Sequence, residues 1–539
     1  MKKGWFGNGK YRIAFTVVLL LSTVLFFAIN LQALANAAGS VLHYLPVVYA
    51  FKPTPTETPG PGTPGATTSP EPGTGTPEGT ALPTQPGTDT GTTTPGVPTQ
   101  TPSIGPTPLP ALRPASIFGT ELFPNASTDT LDYTNATDAY WIRIKAFDWD
   151  SIEPENTTPE NYHWDQVNDG SLQELRAQGY LVIATIRFAP DWAQKYPGYP
   201  CGPIKEDAFD DFAEFLTAIV QRYSAPPYDI HYWEVGNEPD IDHRAFAKGD
   251  RPVYGCWGEQ DDPYYGGGYF AQMLSVAYPA IKAADPQAQV LNGALMMDCD
   301  PTHPMPGANG CVQGEFFEGM LRAGGAAYFD LVSFNASVQY IGSLKWDEEK
   351  PEWEARGGAV LGKVSLLREW MADYGVDKPI VQAEGSLGCP EWSQNSCNPP
   401  GEAFFEAQAN YVAWLFVKDW AAGLKGVMWY SLPYNYWRYT SLVDDYGEPR
   451  PAYYAYDYLT SKLKGASYVR QVTDYDGVRT YEFATTSKRI WVLWTPDEQP
   501  RTITLPPEAW GAQDKYGNII SLVNNQITVK SPVYVDLAP

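Results

Sequence analysis

From about Arg113 the chain alternates, eight times in succession, between a short strand-like run and a helix-like one. The strand-like runs are Ile117–Glu121, Ala139–Phe147, Tyr180–Phe188 and Ile230–Asn237, then Gln289–Met296, Phe329–Asn335, Pro379–Glu384 and Gly426–Leu432. Between them, Asp207–Tyr223 carries Phe209, Phe212, Phe215 and Ile219 at helical spacing, and Val360–Tyr374 and Phe404–Gly423 are further helical patterns. Eight strand–helix units over about 350 residues predict an α/β fold, the (β/α)₈ TIM barrel, spanning 113–464. A doubly wound open sheet competes. No glycine-rich phosphate loop follows the first strand, which weakens it.

After Leu463 the texture changes to short alternating strands at Tyr468–Tyr475, Arg479–Thr485, Arg489–Trp494, Thr502–Leu505 and Val533–Leu537. Turn signals such as Asp476-Gly477 and Tyr516-Gly517-Asn518 separate them. Residues 465–539 thus predict a small antiparallel, β-sandwich-like domain packed on the barrel. Trp491 and Trp494 fall on opposite strand faces, so one of them is expected against the barrel.

The N-terminal part has no such texture. Lys2, Lys3, Lys10 and Arg12 precede an apolar run from Ile13 to Ile29, and A-x-A sequences follow at Ala33–Ala37. Residues 1–37 therefore predict a cleaved export signal, with a retained membrane anchor as the alternative. Either one places the bulk of the chain outside the cytosol, secreted or at the cell surface. Val41–Phe51 is a short apolar island to which the sequence assigns no role. The rest of 38–112 is almost wholly Pro, Thr, Gly and Ser, which cannot bury apolar area and reads as a semi-stiff linker.

Composition excludes several classes. The net charge is −25, so nucleic acid is not an expected partner. A single long apolar run excludes a polytopic membrane protein. A hydrophobic content of 43% excludes a wholly disordered chain. Abundant acids with 14% aromatics suit sugars, and equally suit a large aromatic core.

The six cysteines, at 201, 256, 299, 311, 389 and 397, are even in number in an exported chain, which favours disulfides. Short loops suggest Cys299–Cys311 and Cys389–Cys397, leaving Cys201–Cys256. These segments follow strands three, four, five and seven, so the bridges would stiffen one rim of a barrel. There is neither a C-x-x-C pair nor a His-x-x-x-His element, so no metal and no cofactor is expected.

The fourth strand runs into Tyr232-Trp233-Glu234-Val235-Gly236-Asn237-Glu238-Pro239-Asp240, and the seventh into Gln382-Ala383-Glu384-Gly385-Ser386. Each places a carboxylate at the C-terminal end of a strand, where barrel active sites are built. Strands four and seven lie across the barrel, so Glu238 and Glu384 can converge on one bond. Glycosidic bonds need such a pair. One carboxylic acid protonates the departing oxygen, and one carboxylate attacks the anomeric carbon or activates water. Glu234 also points inward by period-two parity and reads as a buried carboxylate held by Arg143 or Lys145.

Asn237-Glu238-Pro239 on a fourth strand, with Glu384 on a seventh, resembles the clan A glycoside hydrolases. Within the clan the chain is most similar to family 39 and family 5-like members, over about 113–539. The resemblance implies a retaining mechanism on β-linked sugars, with Glu238 as acid/base and Glu384 as nucleophile. It implies that Asn237 bonds the sugar 2-hydroxyl, that Arg143 supports the nucleophile and that Trp429 forms the sugar platform. Relatives often carry His where Asn335 ends strand six, which leaves the hydrogen bonding of that subsite open. Tyr340 is a candidate contact of the nucleophile. Among the rim aromatics Trp192, Tyr254, Trp257, Tyr264, Tyr265, Trp392, Tyr434, Tyr436 and Trp437, Trp192 is the one taken as a candidate substrate contact. A non-catalytic carbohydrate-binding or adhesion protein, and a transglycosylase, are the alternatives. The sequons at Asn125, Asn135, Asn156 and Asn335 admit glycosylation.

Overall fold

A computed structural model describes residues 109–539, except 125–127, 304–310, 351, 391–396, 398 and 436. The N-terminal signal, the Val41–Phe51 island, the linker up to residue 108, Asn125, Trp392 and Tyr436 lie outside the described residues.

Eight parallel strands form the centre: β1 (Phe118–Leu122), β2 (Trp141–Asp148), β3 (Leu181–Arg187), β4 (Tyr232–Val235), β5 (Gln289–Leu291), β6 (Val332–Gln339), β7 (Ile380–Gly388) and β8 (Gly426–Trp429). Their order is β5-β4-β3-β2-β1-β8-β7-β6. The remaining seam, β5 against β6, is closed by parallel bridges at Leu291–Leu331 and Leu295–Phe334. The sheet is therefore a barrel.

A helix follows each strand: α1 (Thr128–Ala136), α2 (Asp169–Ala177), α3 (Phe209–Tyr223), α4 (Gly267–Ala284), α5 (Phe316–Arg322), α6 (Ala359–Asp373), α7 (Glu402–Ala421) and α8 (Pro451–Lys462). Helix α3 shows why. Phe209, Phe212, Phe215, Leu216, Ile219, Val220 and Tyr223 recur at three- and four-residue spacing and are all buried, while Asp210 and Asp211 sit in the first turn, where they complement the helix dipole.

Period two sorts each strand. Trp141, Ile183, Leu291, Leu331, Val381 and Met428 point inward and make an apolar barrel floor. The alternate residues, such as Ile142, Ala184, Val427 and Trp429, join the larger core between barrel and helices. Polar inward positions are left for the layer above the floor.

The C-terminal residues form an antiparallel five-stranded sheet, in the order β13 (Ala509–Asp514), β15 (Val533–Leu537), β11 (Arg489–Trp494), β10 (Arg479–Ala484), β9 (Ser467–Val472). A two-stranded sheet of β12 (Arg501–Thr504) and β14 (Gln526–Val529) accompanies it. Strands β13 and β14 were not expected. AWGAQD has a central Gly and QITV is four residues long, so neither has an apolar run of its own. Trp494 stacks on Trp414 of α7 with centroids 5.7 Å apart, which docks the sheet on the barrel. Trp491 lies on the other face and donates to Glu482.

The disulfides are Cys201–Cys256, Cys299–Cys311 and Cys389–Cys397, the pairing expected from the loops. No helix among the described residues is long and apolar enough to cross a membrane.

Candidate active site

The layer above the barrel floor is ionic. On β2, Arg143 and Lys145 follow Trp141 at period two, so both enter the barrel. Parallel pairing places Glu121 of β1 in register with Arg143. The Arg143 guanidinium bonds Glu121 (2.6 Å), Glu384 Oε1 (2.6 Å), Glu234 (2.6 Å) and the Asn237 side-chain oxygen (2.6 Å). Lys145 bonds Glu121 (2.5 Å) and the same Glu384 Oε1 (2.7 Å). All these side chains are buried. Burial opposes the charge on Arg143, but Glu234, Glu121 and Glu384 outweigh it and raise its pKa well above the ordinary value. Burial also lifts the Glu121 carboxyl, against the pull of Lys145, and the Glu384 charge adds to the rise.

Glu238 reaches the site by a different route from the one strand parity implies. Strand β4 stops at Val235, and the chain turns through Gly236 (φ 93°). Glu238 itself sits at φ 49°, a left-handed conformation uncommon for a residue with a Cβ. Its amide donates to the Ala294 carbonyl (2.7 Å), and Asn335 Nδ2 donates to its Oε1 (2.7 Å). Glu238 Oε2 is buried and has no hydrogen-bond partner among the described residues.

The two carboxyls are pushed apart electrostatically. Burial raises Glu238 to about 8, and the Glu384 charge adds to the rise. Burial acts the same way on Glu384, but there Lys145 and Arg143 outweigh it and hold the carboxyl below its ordinary value of 4.5. One group therefore keeps its proton near neutrality while the other is ionised.

Three expected site residues are placed elsewhere. Trp429 is fully buried, donates its indole N–H to the Thr440 carbonyl (2.9 Å) and meets Tyr411 of α7. With Met428 in the barrel floor, Trp429 must face the helices, and it cannot form a sugar platform. The inward position falls to Tyr430. It lies 5.2 Å below the Lys145 ammonium and packs edge-on with Phe123 and Trp437. Burial and the charges of Glu384, Glu121 and Glu238 push its hydroxyl far above the ordinary tyrosine value. Tyr340 is packed on Phe404 of α7, and its phenol is perturbed by burial and Glu498, not by Glu384. Trp192 packs edge-on against Trp149 and donates to the Glu153 carbonyl.

Asn237 and Asn335 do lie in the site, each bonded to a charged group. Asn237 accepts from Arg143 and donates to the Val253 carbonyl (2.8 Å). Asn335 is 5% exposed and spends its amide on Glu238, which makes it a poor glycosylation acceptor. The rim aromatic Tyr254 is raised by burial first and then by both Glu238 and Glu384, so it borders the pair. Glu121 and Tyr430 are additions that sequence reasoning missed. Register with Arg143 would have found the first, and counting parity from Met428 the second. Among the described residues no cluster of His, Cys, Asp and Glu is arranged to hold a metal.

This fold, a (β/α)₈ barrel with a C-terminal antiparallel sheet, is shared with solved glycoside hydrolases. A family 39 glycoside hydrolase from the gut symbiont Bacteroides cellulosilyticus WH2 matches with a TM-score of 0.55 at 17% identity, over 80% of this chain and 83% of that one. A monomeric β-xylosidase from Caulobacter crescentus CB15 matches with a TM-score of 0.51 at 15% identity, over 80% of this chain and 98% of that one. A conserved exported protein from Bacteroides fragilis matches with a TM-score of 0.57 at 11% identity, over 79% and 98%. No protein-family model and no curated protein sequence matches the chain.

Proposed function

We propose that the protein is an exported retaining glycoside hydrolase acting on β-linked sugars. The observation that carries this reading is the opposed pair: Glu238 pushed up to about 8 and Glu384 held below 4.5, in one barrel mouth. An acid that keeps its proton and a carboxylate that stays ionised are the two groups a glycosidic bond requires. The three disulfides support an extracytoplasmic location.

In the first step Glu384 attacks the anomeric carbon while Glu238 delivers its proton to the leaving oxygen, and the C–O bond breaks. Arg143 and Lys145 both bond Glu384 Oε1, so Oε2 is the attacking oxygen. Glu238 Oε2, the oxygen with no partner, holds the proton. In the second step Glu238 takes a proton from water, the hydroxide displaces Glu384, and the carboxylate is restored.

The charges support this cycle. With Glu238 protonated, Glu121, Glu234 and Glu384 face Arg143 and Lys145, and the cluster carries one net negative charge. That charge faces the positive charge developing on the sugar. In the glycosyl-enzyme Glu384 is neutral and Glu238 has become the anion, so the site keeps its net charge through the step.

The test is hydrolysis of a panel of aryl β-glycosides, with the first-formed anomer read by ¹H NMR. Turnover with β-product first is expected. Absence of turnover across xylosides, glucosides, mannosides and uronosides sinks the reading, and α-product first sinks the retaining mechanism. In the same assay Tyr430→Ala is expected to lower kcat/KM by about tenfold or more through lost stacking. Trp429→Phe should instead lower Tm and leave KM near the wild-type value. A rise in KM confined to the Trp429 variant would reverse the two assignments.

A further inference from the structure

The seam between β5 and β6, where the barrel closes, is also where Glu238 is held. Its backbone ladder runs from Leu295 N–H to the Ser333 carbonyl (3.1 Å) and from Asn335 N–H to the Leu295 carbonyl (2.8 Å). The next rung would pair the Met297 N–H with the Asn335 carbonyl. That rung is not made, because Met297 turns into a left-handed conformation at φ 51°. Two charged side chains take its place.

Asp240 accepts from the Met296 N–H (2.8 Å) and the Met297 N–H (2.7 Å). Lys363, from the first turns of α6, sends its ammonium to the Met296 carbonyl (2.5 Å) and the Asn335 carbonyl (2.9 Å). Both side chains are buried, at 3% and 6% exposure. A buried ammonium and a buried carboxylate are costly to keep, and each here is compensated by two backbone partners. The broken rung is thus rebuilt by an anion on the two amides and a cation on the two carbonyls.

Both residues adjoin Glu238. Asp240 stands two positions beyond it on the same loop. Lys363 fixes the backbone of Asn335, whose side chain donates to Glu238 Oε1 (2.7 Å). The geometry points to Lys363 and Asp240 as a clamp that positions the Glu238 carboxyl through the loop on one side and through Asn335 on the other. Neither side chain touches Glu384, Arg143 or Lys145; Asn335 pairs with Glu384 through the backbone of β6 and β7, but both arms of the clamp end on the Glu238 carboxyl, the proton donor. It is a positioning device, and it rests on the glycosidase reading given above.

That division sets the test. A dinitrophenyl leaving group departs as a stable anion and needs no proton, whereas a phenyl leaving group needs Glu238 in place. Lys363→Met keeps the length of the stem and removes the ammonium. General acid catalysis is worth ~10²–10⁴-fold, and misplacing the acid should forfeit part of it. Lys363→Met is therefore expected to lose about 10- to 100-fold in kcat/KM on the phenyl β-glycoside while staying within about threefold of wild type on the dinitrophenyl β-glycoside. Lys363→Arg should restore part of the phenyl activity. Should Lys363→Met not fold, Asp240→Asn, which keeps the volume and one acceptor oxygen, carries the same expectation. Equal losses on both substrates, or none on either, with a folded variant of either residue, would overturn the clamp. Wild-type protein that cleaves neither substrate overturns the glycosidase reading, and the clamp with it.

Discussion

Replacing Glu384 with alanine is expected to reduce kcat/KM on aryl β-glycosides by about 10⁴- to 10⁶-fold, the scale on which loss of a covalent nucleophile acts. The fold should survive. In the wild type, Arg143 and Lys145 share three carboxylates, and without Glu384 they still face Glu121 and Glu234 at 2.5–2.6 Å. No cation is left without a partner, so the usual penalty of halving a buried ion pair is largely avoided. Glu384→Gly should open room for a small anion beside the anomeric carbon. Added azide is then expected to restore turnover and give an α-glycosyl azide, because azide attacks from the face Glu384 would have used and nothing inverts the product a second time. Near-wild-type activity in the alanine variant would remove Glu384 from the chemistry. A β-azide product would move the nucleophile elsewhere.

The fold was legible because a barrel repeats one local pattern eight times, so an error of a few residues at any boundary leaves the count intact. Strand β4 illustrates this. Ile230–Asn237 was the expected range and Tyr232–Val235 is the observed one, yet the unit keeps its place between β3 and β5. The site was legible only where a residue's role follows from its own strand. Glu234, Glu384 and Arg143 could be placed that way, whereas Glu238 enters the same layer only through the turn beyond β4. Glu121 could not, because a single acid ending FGTEL has meaning only in register with Arg143 on the next strand. Trp429 went wrong by one residue of phase. In a four-residue strand a one-residue slip exchanges the barrel interior for the helix layer, and the inward position passes from Trp429 to Tyr430. Tyr340 and Trp192 fall beyond the ends of their strands, in segments whose course is set by packing against Phe404 and Trp149. Asp240 and Lys363 act through backbone groups of other elements, which no motif records.

Glu238→Gln is the second large effect, and its signature differs from that of Glu384. Loss of the general acid should cost ~10²–10⁴-fold in kcat/KM on phenyl β-glycosides and little on dinitrophenyl β-glycosides. The pH dependence follows from the two carboxyls. Wild-type kcat/KM on phenyl β-glycosides requires Glu384 ionised and Glu238 protonated. It should fall on the acid side below 4.5, where Glu384 takes up a proton, and on the alkaline side through about 8, where Glu238 loses one. In Glu238→Gln the alkaline limb should disappear from the phenyl profile, and the dinitrophenyl profile, which needs no proton from Glu238, should lack it already in the wild type. Stability should change in the opposite sense to activity. The Glu238 pKa of about 8 in the folded protein lies above its ordinary 4.5, so the unfolded chain ionises first as pH rises. Between those values the wild type progressively loses the stability it has with Glu238 protonated, and the loss is complete above about 8. Gln cannot ionise and escapes that loss. Calorimetry should therefore find the variant's Tm close to wild type near about pH 4 and clearly higher near about pH 8. A variant no more stable at the higher pH would mean that Glu238 ionises in place without cost. The proton that this mechanism assigns to it would then have to come from another group.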